Sequence, residues 1–144
     1  MTRRFGSGVP LVRLRDPKTG EYLDEWQTTV AFEVILNDGR SVVVPEGFVT
    51  DKASVPRLVW AIIPRDDKHI VDAALVHDYL YVVQKIENVW IERATADDVF
   101  RDICERAGMG FIKRRICYRG VRLGGWAAYN PRAERLRNPY YVKD

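Results

Sequence analysis

Ile70, Val71, Ala73, Ala74, Leu75, Val76, Leu80, Val82 and Val83 set apolar side chains almost all round one helical stretch, yet His77 and Asp78 stand in its middle. A helix that is apolar on every face is packed on several sides. An unpartnered buried polar side chain costs about 1–3 kcal/mol, so a His and an Asp at this place require partners inside a helical core. Candidates lie some twenty residues further on, in Ala96-Asp97-Asp98-Val99-Phe100.

Helical geometry sharpens this expectation. His77 and Tyr81 lie four apart and share a face, while Asp78 projects about 100° away. If the next helix returns antiparallel after the connection over 85–94, Asp97 near its start comes back beside the second half of the first helix and reaches the His77 ring. A carboxylate on one ring nitrogen fixes the tautomer and leaves the other nitrogen to act as a base. His77, Asp97 and Tyr81 therefore form the candidate catalytic set, and Asp78, aimed elsewhere, suits a hard cation such as calcium. The same residues also read as a satisfied polar network that sets helix register.

The chain reads as one domain with β signals first and α signals after. Residues 9–45 are β-rich: Val9–Leu14, Trp26–Leu36 and Ser41–Val44 carry β-branched and aromatic residues, with Asn37-Asp38-Gly39-Arg40 as the turn between the last two. Residues 46–65 read as a loop and a short helix, with Asp51 or Ser54 suited to cap an apolar piece stopped by Pro64. Residues 66–124 read as three helices. The first is capped by Asp66 or Asp67 and runs to about Gln84; the second starts at a Thr95/Asp98 capping box and ends at Gly108; the third runs from Met109 to Leu123. Residues 125–144, with Pro131 and Pro139, read as an irregular tail. Segregation of the two periodicities predicts an α+β fold, an N-terminal antiparallel sheet packed on a C-terminal three-helix unit.

Several function classes recede at this point. A net charge of +3 does not make a nucleic-acid binder, and no specific nucleic acid is expected. Cys104 and Cys117 have no CxxC or His-rich neighbours, so they read as packed free thiols. A zinc peptidase would want two His and an acid, and the only histidines are His69 and His77. No signal-like or membrane-spanning run is present, so the chain is expected to be made and kept in a cytosol unless something else carries it out. Tyr79, Tyr81, Trp90 and Phe100 read as core aromatics. Lys113, Arg114, Arg115, Arg119 and Arg122, set around Ile112, Ile116, Val121 and Leu123, read as a solvated basic helix face that can also rest on anionic lipid or a partner.

Two resemblances attach to these residues. Gly47-Phe48-Val49-Thr50-Asp51-Lys52-Ala53-Ser54-Val55-Pro56, His77-Asp78-Tyr79-Leu80-Tyr81, Ala96-Asp97-Asp98-Val99-Phe100 and Tyr118-Arg119-Gly120-Val121-Arg122-Leu123-Gly124-Gly125-Trp126 together resemble the phage and prophage family called domain of unknown function 1353, over roughly residues 25–126. That resemblance implies a tailed-phage or prophage origin and carries no activity with it. The His-Asp-x-x-Tyr helix followed by Ala-Asp-x-x-Phe is also similar to the catalytic helix pair of the calcium-dependent phospholipase A-two superfamily. By that resemblance His77 activates a water, Asp78 ligates calcium and Asp97 orients His77. The glycine-rich calcium loop and the disulfides of that superfamily have no match here, which leaves the loop over 50–54, with Asp51 as an added metal carboxylate.

Two functions follow as expectations. One is a phage-encoded virion or assembly component, tail-associated, with a buried His/Asp site and with other phage structural proteins, in homo- or hetero-oligomers, as partners. The alternative is a phospholipase A-two-like hydrolase that uses a His77–Asp97 dyad with calcium on a phospholipid membrane.

Overall fold

The computed structural model describes residues 2–5, 11–50, 59 and 70–124. Strands β1 (Thr2–Arg4), β2 (Leu11–Arg15), β3 (Tyr22–Thr28), β4 (Ala31–Ile35), β5 (Ser41–Val44) and β6 (Val49–Thr50) precede helix α1 (Val71–Val83). The short strands β7 (Lys85–Ile86) and β8 (Val89–Trp90) then lead to α2 (Arg93–Arg106) and α3 (Phe111–Gly124). The class is α+β, with antiparallel strands first and three helices after them among the described residues.

The sheet departs from the simple expectation in two ways. It is divided into β1-β4-β5 and β2-β3-β6, and β1, which the sequence did not announce, pairs with β4 in parallel. The run expected as one strand over 26–36 is broken at Thr29-Val30. Thr28 explains the break. It is buried, its N–H and hydroxyl donate to Phe48 O (3.0 Å) and Pro45 O (2.7 Å), and its carbonyl and hydroxyl oxygens accept the N–H groups of Gly47 (2.9 Å) and Phe48 (2.9 Å). A residue bound on all sides to the 45–48 loop cannot also continue a straight ladder, so the chain bends and changes sheet. The β4–β5 turn is as expected: Leu36 N–H donates to Arg40 O (2.7 Å), and the Asp38 carboxylate accepts the Arg40 backbone N–H (3.0 Å) and Nε (2.7 Å). Gly39 takes the positive φ of 89° that the turn requires.

The core is one cluster spanning both halves. Phe32, Val34, Val42 and Val44, one face of β4–β5, meet Ile70, Ala73, Ala74, Val76 and Leu80 of the α1 region, which pack in turn on Ala96, Phe100, Ile103, Cys117 and Val121. Alternate residues of a strand share a face, so the pattern of β5, with Val42 and Val44 buried and Val43 exposed, follows from that period. Helix α1 is sandwiched, as its all-round apolar surface requires. It ends at Gln84, whose φ of 56° is left-handed and whose N–H donates to Leu80 O (2.9 Å). Its expected caps Asp66 and Asp67, the short helix over 55–63 apart from the helical and buried Val59, Asp51, Ser54, His69 and the tail over 125–144 lie outside the described residues.

Helix α2 begins earlier than the capping box suggested. Glu92 is its N-cap, without a side-chain cap bond, and the Asp98 carboxylate instead accepts the Tyr118 hydroxyl (2.7 Å). Cys104 and Cys117 are free and buried. Trp90 is not core: it is 44% exposed, with the Lys85 ammonium 4.3 Å from its ring centroid.

Candidate functional site

Consecutive side chains of α1 reach opposite layers. Asp78 and Tyr79 face the strands: the Thr50 hydroxyl of β6 donates to Asp78 Oδ2 (2.5 Å), and Tyr79 stands edge-on to Phe48 with centroids 5.4 Å apart. His77 and Tyr81 face α2 and α3. This is the 100° step of the helix turned into architecture.

Asp97 is the hub of the site. Its Oδ1 accepts from His77 Nε2 (2.7 Å) and from the Tyr81 hydroxyl (2.5 Å), and its Oδ2 accepts from Arg93 Nη1 (3.3 Å) and Arg122 Nη1 (2.8 Å). An ionised carboxylate only accepts, so His77 must carry its proton on Nε2. Arg93 Nη1 also donates to the carbonyls of Val121 (3.2 Å) and Arg122 (3.1 Å) in the last turn of α3, where backbone acceptors lack helical partners and a cation suits the dipole. One carboxylate thus ties α1, α2 and α3 together.

The site is sealed. His77 and Asp97 have no exposed side-chain surface, while Arg93 and Arg122 extend from the carboxylate toward solvent. The His77 ring lies between Tyr81, at a centroid distance of 4.1 Å, and Phe100, at 5.1 Å. Burial, aided by the Arg93 charge, pushes the His77 pKa down despite Asp97 beside it, so the ring is neutral near neutral pH. Burial by itself would raise the Asp97 carboxyl, but the hydrogen bonds from His77, Tyr81 and Arg122 outweigh it and hold the pKa below the ordinary value. Burial, then the Asp97 charge and hydrogen bond, raise the Tyr81 phenol, which stays protonated and donates.

Of the candidate residues, the structure brings His77, Tyr81 and Asp97 into contact and sets Asp78 apart on Thr50. Asp51 lies outside the described residues. Among the described residues no group of three or more His, Cys, Asp or Glu side chains is placed to hold a metal. Asp78 is buried and one of its oxygens already accepts a hydroxyl. A hard cation wants six or more oxygens, so the described residues do not make up a calcium shell. A cleft of about 280 Å³ lies elsewhere, between Ser41 and Val43 of β5 and Lys85, Glu87 and Asn88 of the β7–β8 hairpin. Its lining does not include His77.

Two partners of Asp97 were missed in the sequence. Arg93 was detectable, because it stands four residues before Asp97. Arg122 was not, because it reads as one more cation on the basic face of α3 and only the packing of α3 on α2 turns it inward.

A chain with antiparallel strands followed by three helices, clamped by an Asp97-centred network, defines a small α+β class, and its sequence places it in one family. It belongs to the family described as protein of unknown function, DUF1353, whose model matches residues 26–121, well over half of the chain. Comparison with curated proteins and with solved structures gives no match. No helix among the described residues is long and apolar enough to cross a membrane.

Proposed function

We propose that the protein is a non-catalytic phage or prophage component, a tail-associated virion or assembly protein whose His77–Asp97 network holds its helices in register while its surfaces bind other particle proteins. The observation that carries this reading is the sealed, fully hydrogen-bonded hub: four donors from three helices use both Asp97 oxygens, and neither His77 nor Asp97 meets solvent. A general base must reach its proton directly or through one water. A ring without exposed surface is built for position.

The hydrolase is the second reading, favoured by the Nε2-to-Oδ1 contact of 2.7 Å together with Tyr81 on the same oxygen. That contact satisfies the orienting half of a dyad. The two readings part in one experiment, in which mixed-lipid vesicles with millimolar calcium are offered to the purified chain while an antibody to it is applied to purified particles from cells carrying its gene. The particle reading expects the chain in the particles and no fatty acid released. Calcium-dependent release abolished by His77→Gln, with the chain absent from particles, would overturn it.

A further inference from the structure

Helix α3 buries Cys117 and Val121 on one side. Turning by 100° per residue brings Ile112, Ile116 and Leu123 into one stripe on the opposite side, where they are 75%, 39% and 80% exposed. The helix has five cations and no acid. Arg114 is engaged with Met109 O and Arg122 with Asp97, and Lys113 also has a partner. Arg115 and Arg119, beside the stripe, have no carboxylate partner among the described residues. The acids of α2 that reach α3 are taken up by Tyr118, which binds Asp98, and by Arg122, which binds Asp97.

From this arrangement we infer that the solvent side of α3 docks on an anionic phospholipid surface, Ile112, Ile116 and Leu123 entering the headgroup–acyl boundary and Arg115 and Arg119 binding headgroup phosphates. The occupant must be negative at its face and apolar behind it. A second copy fails the charge condition, because a two-fold contact would set Arg115 and Arg119 against their own images. A bilayer interface meets both conditions, and a convex ridge of separate apolar side chains enters a deformable surface without a preformed groove. The inference is independent of any role for His77.

Sedimentation of the full chain with vesicles of phosphatidylcholine alone, or of phosphatidylcholine mixed with phosphatidylglycerol, tests it. Binding to the anionic vesicles should be at least about tenfold stronger and should weaken at about 0.5 M salt. The I112S/L123S variant should lose about tenfold in binding with its thermal melt unchanged, because both side chains are exposed. The R115A/R119A variant should lose the preference for anionic lipid. Equal binding to both vesicles, undiminished binding by I112S/L123S, or equal and I112S/L123S-insensitive binding to duplex DNA would each overturn the lipid assignment.

Discussion

Arginines serve two regions of this molecule under opposite conditions. At the helical junction Arg93 and Arg122 face a carboxylate with no exposed surface. On the β2–β3 ribbon the Arg13 guanidinium lies 5.3 Å from the centroid of Tyr22 and 5.5 Å from that of Trp26, while Arg15 lies 4.1 Å from the Tyr22 centroid and donates to the Tyr22 hydroxyl (2.5 Å). Tyr22 is 55% exposed. Both regions engage their guanidinium groups, but the energetic weight differs because water replaces a lost partner on the ribbon and cannot do so at Asp97. What a deletion leaves behind decides its cost.

The comparison is broken most severely at its buried end. Asp97→Asn removes the charge that Arg93 and Arg122 neutralise and one acceptor role toward His77 and Tyr81, and it should cost about 3–5 kcal/mol in urea unfolding. Acid should act on the same network. Because the His77 pKa is lowered on folding, the unfolded chain binds more protons below about 6.5, so stability falls as pH drops from about 6.5 toward the folded pKa. Asp97, also lowered, contributes stability that is present above about 3.9 and lost below it as pH falls through its folded pKa. Thermal melts from pH 7 down to about pH 2 should therefore show two successive losses, the first below about pH 6.5 and absent from His77→Gln, the second below about pH 3.9.

On the strand side of α1, Thr50→Val leaves the buried Asp78 without its hydroxyl donor and should cost about 1–2 kcal/mol by the same unfolding measurement. The exposed end closes the series. Arg15→Ala removes a stacked and hydrogen-bonded guanidinium, yet its effect should stay within about 1 kcal/mol and shrink in salt.

How much could be read in advance follows the same division. The helix pair and its His77–Asp97 contact were legible because an apolar helix cannot bury a His without an acceptor, and the 77-to-97 spacing offered one. The β4–β5 hairpin was legible from Asn37-Asp38-Gly39-Arg40. The break at Thr29-Val30 was not, because it comes from hydrogen bonds between Thr28 and a loop some twenty residues away. The start of α2 was misplaced because Thr95 and Asp98 fit a local capping pattern, whereas Tyr118 of α3 claims Asp98. Arg122 stayed hidden for a similar reason: nothing local distinguishes it from Arg115 or Arg119, and tertiary packing selects it.

The central claim is that the buried dyad supports the fold. Urea unfolding of His77→Gln at pH 7 tests it most directly. The account predicts a loss of about 1–3 kcal/mol, because the Gln amide keeps an N–H but not the rigid aim of the imidazole at Asp97 or the packing of the ring on Tyr81 and Phe100. A variant as stable as the parent, within about 0.5 kcal/mol, would contradict it and return His77 to the catalytic reading.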